Sequence, residues 1–148
     1  NKAKQQIKTR QQVHTHAETI HMSEDKEALR AKLLRKQFYA IFMDPPEPMD
    51  DPIREFGDVL GDHLRFLGDL EKRGILFCSG AFRDGQQPWV GNGMAIIRAE
   101  TLADAESIAL SEPFHKAGIR QNRVLPWQMN EGNFSIRVRI MDGSFEIE

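Results

Sequence analysis

Ser111-Glu112-Pro113-Phe114-His115-Lys116-Ala117-Gly118, followed by Val124-Leu125-Pro126-Trp127, closes one element and opens another. Ala105, Ile108 and Ala109 recur at helical spacing, and the pattern stops at Pro113, which lacks a backbone donor. Gly118 supplies the turn, and Arg120 to Trp127 reads as a strand. Upstream, Thr101 and Asp104 have the spacing of a capping box, with Asp as a shorter variant of the usual Glu, so the helix starts there.

Working outward, Met94 to Ala99 is a strand, Ala81 to Asn92 a Gly/Gln/Pro loop and Ile75 to Gly80 another strand. Before them, Ile53, Phe56, Leu60, His63, Leu67 and Leu70 recur every three or four residues, which predicts one helix from Pro52 to Gly74. Asp44 to Asp51, with its prolines, breaks the chain after the apolar run Phe38-Tyr39-Ala40-Ile41-Phe42-Met43, a strand buried on both faces. The order β-α-β-β-α-β predicts an α+β fold of ferredoxin-like topology, two helices over a four-stranded antiparallel sheet. Helices cover one face only, so the other needs a partner. A second copy, sheet against sheet, would give a dimeric α/β barrel with a cleft; a homodimer is the expectation.

Both ends extend this unit. Phe134, Ile136, Val138 and Ile140 alternate with Ser135, Arg137, Arg139 and Met141, and Asp142-Gly143 is a favoured two-residue turn, which predicts a C-terminal β-hairpin. That turn sets Arg139 opposite Glu146, Arg137 opposite Glu148, Ile140 opposite Phe145 and Val138 opposite Ile147. The two arginines read as an anion site or as charge pairs within the hairpin. Residues 1–36 form a polar, basic extension, partly unstructured up to His21 and helical over 24–36, and residues 37–148 the α+β domain. Met22-Ser23-Glu24-Asp25 resembles a start residue followed by a helix cap. His14, His16 and His21 are either a metal cluster or merely soluble side chains.

Charge is divided unevenly: nine Lys/Arg against four Asp/Glu in residues 1–37, eleven against eighteen in the rest. The basic arm lacks aromatic residues for stacking on bases, so no nucleic acid is expected as a partner. No window approaches the roughly 18 apolar residues that span a bilayer, and no signal-like run is present, so no membrane partner and a cytoplasmic location are expected. The single cysteine, Cys78, excludes an intrachain disulfide; within Ile75-Leu76-Phe77-Cys78 it reads as a small buried hydrophobe or as a reactive thiol. Gly91-Asn92-Gly93 lacks the spacing of a phosphate loop, and neither a Gly-x-Ser-x-Gly elbow nor a His-Glu-x-x-His motif occurs. No cofactor and no metal is expected, which leaves cofactor-free acid–base chemistry if the chain is an enzyme.

Several segments, in order and spacing, resemble the YCII-related (YciI-like) proteins. They are His63-Leu64, Gly74-Ile75-Leu76-Phe77, Asp84-Gly85, Gly93-Met94-Ala95-Ile96-Ile97-Arg98-Ala99, Glu112-Pro113-Phe114-His115-Lys116-Ala117-Gly118, Pro126-Trp127 and Asn130-Glu131-Gly132. The resemblance covers about residues 38–132, and the hairpin looks like a subgroup extension. It implies a dimeric α/β barrel with a pocket in which His63 and Asp84 are the catalytic pair. Most members have no established reaction; a few relatives are dehydrochlorinases of aromatic-ring breakdown products, and the wider superfamily includes muconolactone isomerases. Two departures stand out: Glu112 replaces the usual Asp before Pro-Phe, and Ser79-Gly80-Ala81-Phe82 replaces a common Gly-Pro-Phe run.

His63 lies on the apolar stripe, where it is either a satisfied core histidine or a base whose tautomer a carboxylate such as Asp84 fixes. His115 is a second acid or base, or a cation favourable near a helix end. Phe114 and Trp127 wall an aromatic substrate or anchor core and interface. Arg83 binds a substrate carboxylate bidentately or pairs with a neighbouring acid. Two functions fit these residues: a lyase or isomerase of small cyclic acids, or a non-catalytic dimeric domain that binds a small molecule in the same cleft.

Overall fold

The computed structural model describes residues 25–83, 85–139, 141 and 144–147. Contacts divide the chain into two units. The first, Lys36–Met129, holds four strands, four helical segments and every described residue of the candidate site.

Its strands are β1 (Lys36–Asp44), β2 (Leu76–Ala81), β3 (Gly93–Ile97) and β4 (Gln121–Met129). They form one antiparallel sheet in the order β2-β3-β1-β4. With helical crossovers from β1 to β2 and from β3 to β4, this is the expected ferredoxin-like topology. Central β1 sets Ile41 opposite Ala95 on one side and Val124 on the other. Alternation then sorts its residues. Tyr39, Ile41 and Met43 join Ala95, Ile97, Ala105 and Ala109 in a core beneath a helix, while Phe38, Ala40 and Ile96 form a second cluster on the opposite face. Burying side chains such as Ile97 and Phe114, both fully inaccessible, contributes about 1.5–3 kcal/mol each.

The first crossover departs from the expected single helix. It consists of α1 (Pro52–Phe56) and α2 (Val59–Lys72). Gly57, at φ 52° and ψ −139°, breaks the path, and its N–H caps α1 at the Arg54 carbonyl. Phe56, His63 and Leu70, seven residues apart, keep one inward face across the break, but Ile53 in the short first segment is exposed. The second crossover is α3 (Leu102–Ser111), which starts with the capping box of Thr101 and Asp104. Glu112, extended at ψ 131°, separates it from a single turn, α4 (Pro113–Lys116). Cys78 is exposed rather than buried, because β2 is the edge strand; the burial that remains pushes its thiol pKa up.

In the second unit, residues 25–31 are helical, and the Leu34 N–H donates to the Asn130 carbonyl at 2.9 Å. β5 (Ile136–Arg139) and β6 (Ser144–Ile147) make the expected hairpin, but with Arg137 opposite Glu146 and Arg139 opposite Ser144. The register is two residues from the one that a tight turn at Asp142-Gly143 requires. Val138 is set opposite Phe145 rather than Ile147. Asp142 and Gly143 themselves, like the extension up to residue 24 with its histidines, lie outside the described residues.

Candidate active site

α2 presents His63 on its inward face, over the end of the sheet. The imidazole is 7% exposed, and its Nδ1 lies 2.7 Å from Oε1 of Glu112. Its ring stacks on that of Phe114, with centroids 4.5 Å apart. Glu112 is 2% exposed and doubles as the cap of α4: Oε1 accepts the Phe114 N–H at 3.0 Å and Oε2 the His115 N–H at 2.9 Å. Pro113 takes the first helical position, where no donor is needed, so the local sequence turns the carboxylate back over its own helix start. Burial works to raise the Glu112 pKa. The hydrogen bond to His63, the two backbone N–H groups and the imidazole's charge outweigh it, and the carboxyl sits below the ordinary range.

Beside this pair lies an apolar cavity of about 180 Å³, walled by Met43, Leu60, Leu67, Trp89 and Phe114 and reached by His63 and Arg120. Arg120 is 4% exposed. Its Nε donates to the Gly91 carbonyl at 2.8 Å, and its guanidinium lies 4.7 Å from the ring centres of both Phe56 and Phe114. Burial pushes its pKa down, and the charges of Glu112 and Asp44 offset only part of that.

The model of the YCII-related domain matches residues 38–128, most of the chain and the whole of this site. The chain belongs to the YCII-related family. No curated protein matches it, whereas five solved chains do. One of these is the 5-chloro-2-hydroxyhydroquinone dehydrochlorinase of Burkholderia phenoliruptrix AC1100, solved in complex with 2,5-dihydroxybenzoquinone. It is 19% identical over 61% of this chain and 92% of that one, with a TM-score of 0.49.

Of the residues singled out in the sequence, this YCII-related domain brings His63 and Phe114 to the cavity. The described acid on His63 is Glu112; Asp84 lies outside the described residues. His115 does not line the cavity: its Nδ1 accepts the Asn122 N–H at 3.3 Å. Trp127 lies on the opposite sheet face, 5.9 Å from the Phe38 ring, since it pairs with Phe38 across β1 and β4. Arg83 is exposed, its guanidinium 4.8 Å from the centre of the Trp89 ring. Trp89 is thus the tryptophan of the cavity and Arg120 its arginine. Arg120 was within reach of the period-two pattern: it is in phase with Asn122 and with Val124, which packs in the core under the helices. Among the described residues no cluster of His, Cys, Asp or Glu could hold a metal ion, and no helix is long and apolar enough to cross a membrane.

Proposed function

We propose that this YCII-related domain is a cofactor-independent lyase or isomerase of small cyclic acids, of dehydrochlorinase or muconolactone-isomerase type, with His63 as general base. The 2.7 Å contact between His63 Nδ1 and Glu112 carries the reading. A carboxylate that stays ionised accepts the Nδ1 proton, fixes the tautomer and leaves the lone pair on Nε2. Among the described residues Nε2 has no hydrogen-bond partner. Such a nitrogen takes a proton from carbon next to a carbonyl, and the electron pair moves into the enolate. Return of the proton at another ring atom shifts a double bond; departure of chloride from the adjacent carbon completes loss of HCl. In this scheme Asp84, between β2 and β3, is a second acid.

The test is mass analysis of products from chlorinated and hydroxylated aromatic acids and lactones first selected by thermal shift. His63→Gln retains a donor for Glu112 and removes the base, so turnover is expected to fall about 10²–10⁴-fold with the fold intact. Undiminished turnover in that variant sinks the scheme. Stabilisation of the wild type by a ligand that is never converted favours the non-catalytic binding domain instead.

A homodimer belongs to the same proposal. On the sheet face away from α2 and α3, Leu125 and Trp127 are 43% and 39% exposed, beside the Phe38, Ala40 and Ile96 cluster. A second copy is the occupant that the family's dimeric barrel implies.

A further inference from the structure

Arg120 is unusual among the cavity's walls. It is a buried cation in apolar surroundings, and its one hydrogen bond among the described residues goes to a neutral carbonyl, Gly91 O. Of the two acids whose charges act on it, Glu112 is already committed to His63 and two backbone N–H groups, and Asp44 is exposed at the end of β1. No carboxylate among the described residues forms an ion pair with the guanidinium, and the two phenylalanine rings beside it compensate the charge only weakly. A buried charge without an ionic partner is costly, and an anion brought into the cavity would relieve that cost. With Nε held by Gly91, the terminal nitrogens remain as parallel donors, the arrangement that suits a planar carboxylate.

Size and wall chemistry narrow the anion further. A dry apolar cavity of about 150 Å³ accommodates benzene, and this one is about 180 Å³ with Phe56, Trp89 and Phe114 among its walls. That is room for one six-membered ring and a small substituent, but not for a nucleotide or a peptide.

We propose that Arg120 is the anion anchor of this cavity, and that it selects single-ring molecules carrying a carboxylate over their neutral counterparts. The inference rests on the cavity being the ligand site, as in the proposed function, but not on His63 acting as a base. Ring and carboxylate are held by different groups: the aromatic walls take the ring, and Arg120 takes the charge.

Calorimetric titration with benzoate and with benzamide, isosteres differing in charge, tests this on the wild-type protein, with Arg120→Met, Arg120→Lys and His63→Gln as comparisons. Benzoate is expected to bind the wild type at least about 10-fold more tightly than benzamide, the difference a charge-assisted bidentate contact makes. Arg120→Met should erase the preference, Arg120→Lys should keep part of it, and His63→Gln should leave it standing. Equal affinities in the wild type, no saturable benzoate binding, or a preference that survives Arg120→Met or vanishes in His63→Gln overturns the assignment. The wild-type comparison decides even if Arg120→Met fails to fold. Loss of turnover in His63→Gln with the benzoate preference intact supports both readings. Undiminished turnover there defeats the base alone.

Discussion

At the scale of single residues, Glu112 joins two tasks in one carboxylate. It caps α4 through the Phe114 and His115 N–H groups and holds Nδ1 of His63. Because its folded-state pKa is depressed, the stability it supplies is fully present above the ordinary carboxylate value, about 4.3, and is lost as pH falls through the lower folded-state value. Wild-type stability should therefore decline below about pH 4 more steeply than that of Glu112→Gln, in urea titrations at stepped pH. Parallel acid limbs for the two proteins would contradict the assignment. Glu112→Ala removes cap and partner together and should cost about 1–3 kcal/mol at neutral pH, read from the urea midpoint. Little of this pair was legible beforehand. His63 could be placed on an inward stripe, but its acid lies 49 residues away and is reached only because α3 ends where it does. Period two separates the two readings of Trp127, cavity wall or core and interface anchor: counted in twos from Val124, Trp127 falls on the other sheet face, with Leu125 and Arg123.

At the scale of elements, local chemistry was the most readable layer. The capping box of Thr101 and Asp104 forms as its spacing implies, with Thr101 Oγ1 accepting the Asp104 N–H at 3.1 Å. Thr101→Ala should lower stability by about 1 kcal/mol, as a shift in the urea midpoint without a change of slope. The break between α1 and α2 was harder to see, because Phe56, Leu60 and His63 keep helical spacing across Gly57; only the backbone conformation reveals that the helix restarts. A second glycine bears directly on the site. Gly91, at φ 92°, offers its carbonyl to Arg120, and a Cβ there would stand 2.7 Å from the Met49 sulfur. Gly91→Ala is therefore expected to cost about 1–3 kcal/mol and to weaken benzoate binding, whereas Gly68→Ala, with open space around its Cβ on α2, should do neither. Equal benzoate affinity in the two variants would separate the backbone of Gly91 from the placing of Arg120.

For the molecule as a whole, the antiparallel sheet has two unlike faces, and the division of labour follows from that. The face under the helices carries the core of Tyr39, Ile41, Ile97 and Ala109, and at its end the cavity. The opposite face is screened within the chain by cations over rings, Arg98 against Phe38 and Phe77 and Arg123 against Phe42, yet leaves Leu125 and Trp127 substantially exposed. Topology was legible because β1 is apolar on both faces and therefore central; what covers the second face was not, because burial demands a partner without naming it. If the occupant is a second copy, the protein sediments as a dimer at micromolar concentration. Leu125→Arg then inserts a charge into a self-facing surface, where the symmetry operator brings it close to its own copy. That variant is expected to shift the boundary to the monomer while leaving the melting temperature of the dilute protein within a few degrees. Wild-type protein that sediments as a monomer at high micromolar concentration would show that no second copy covers that face.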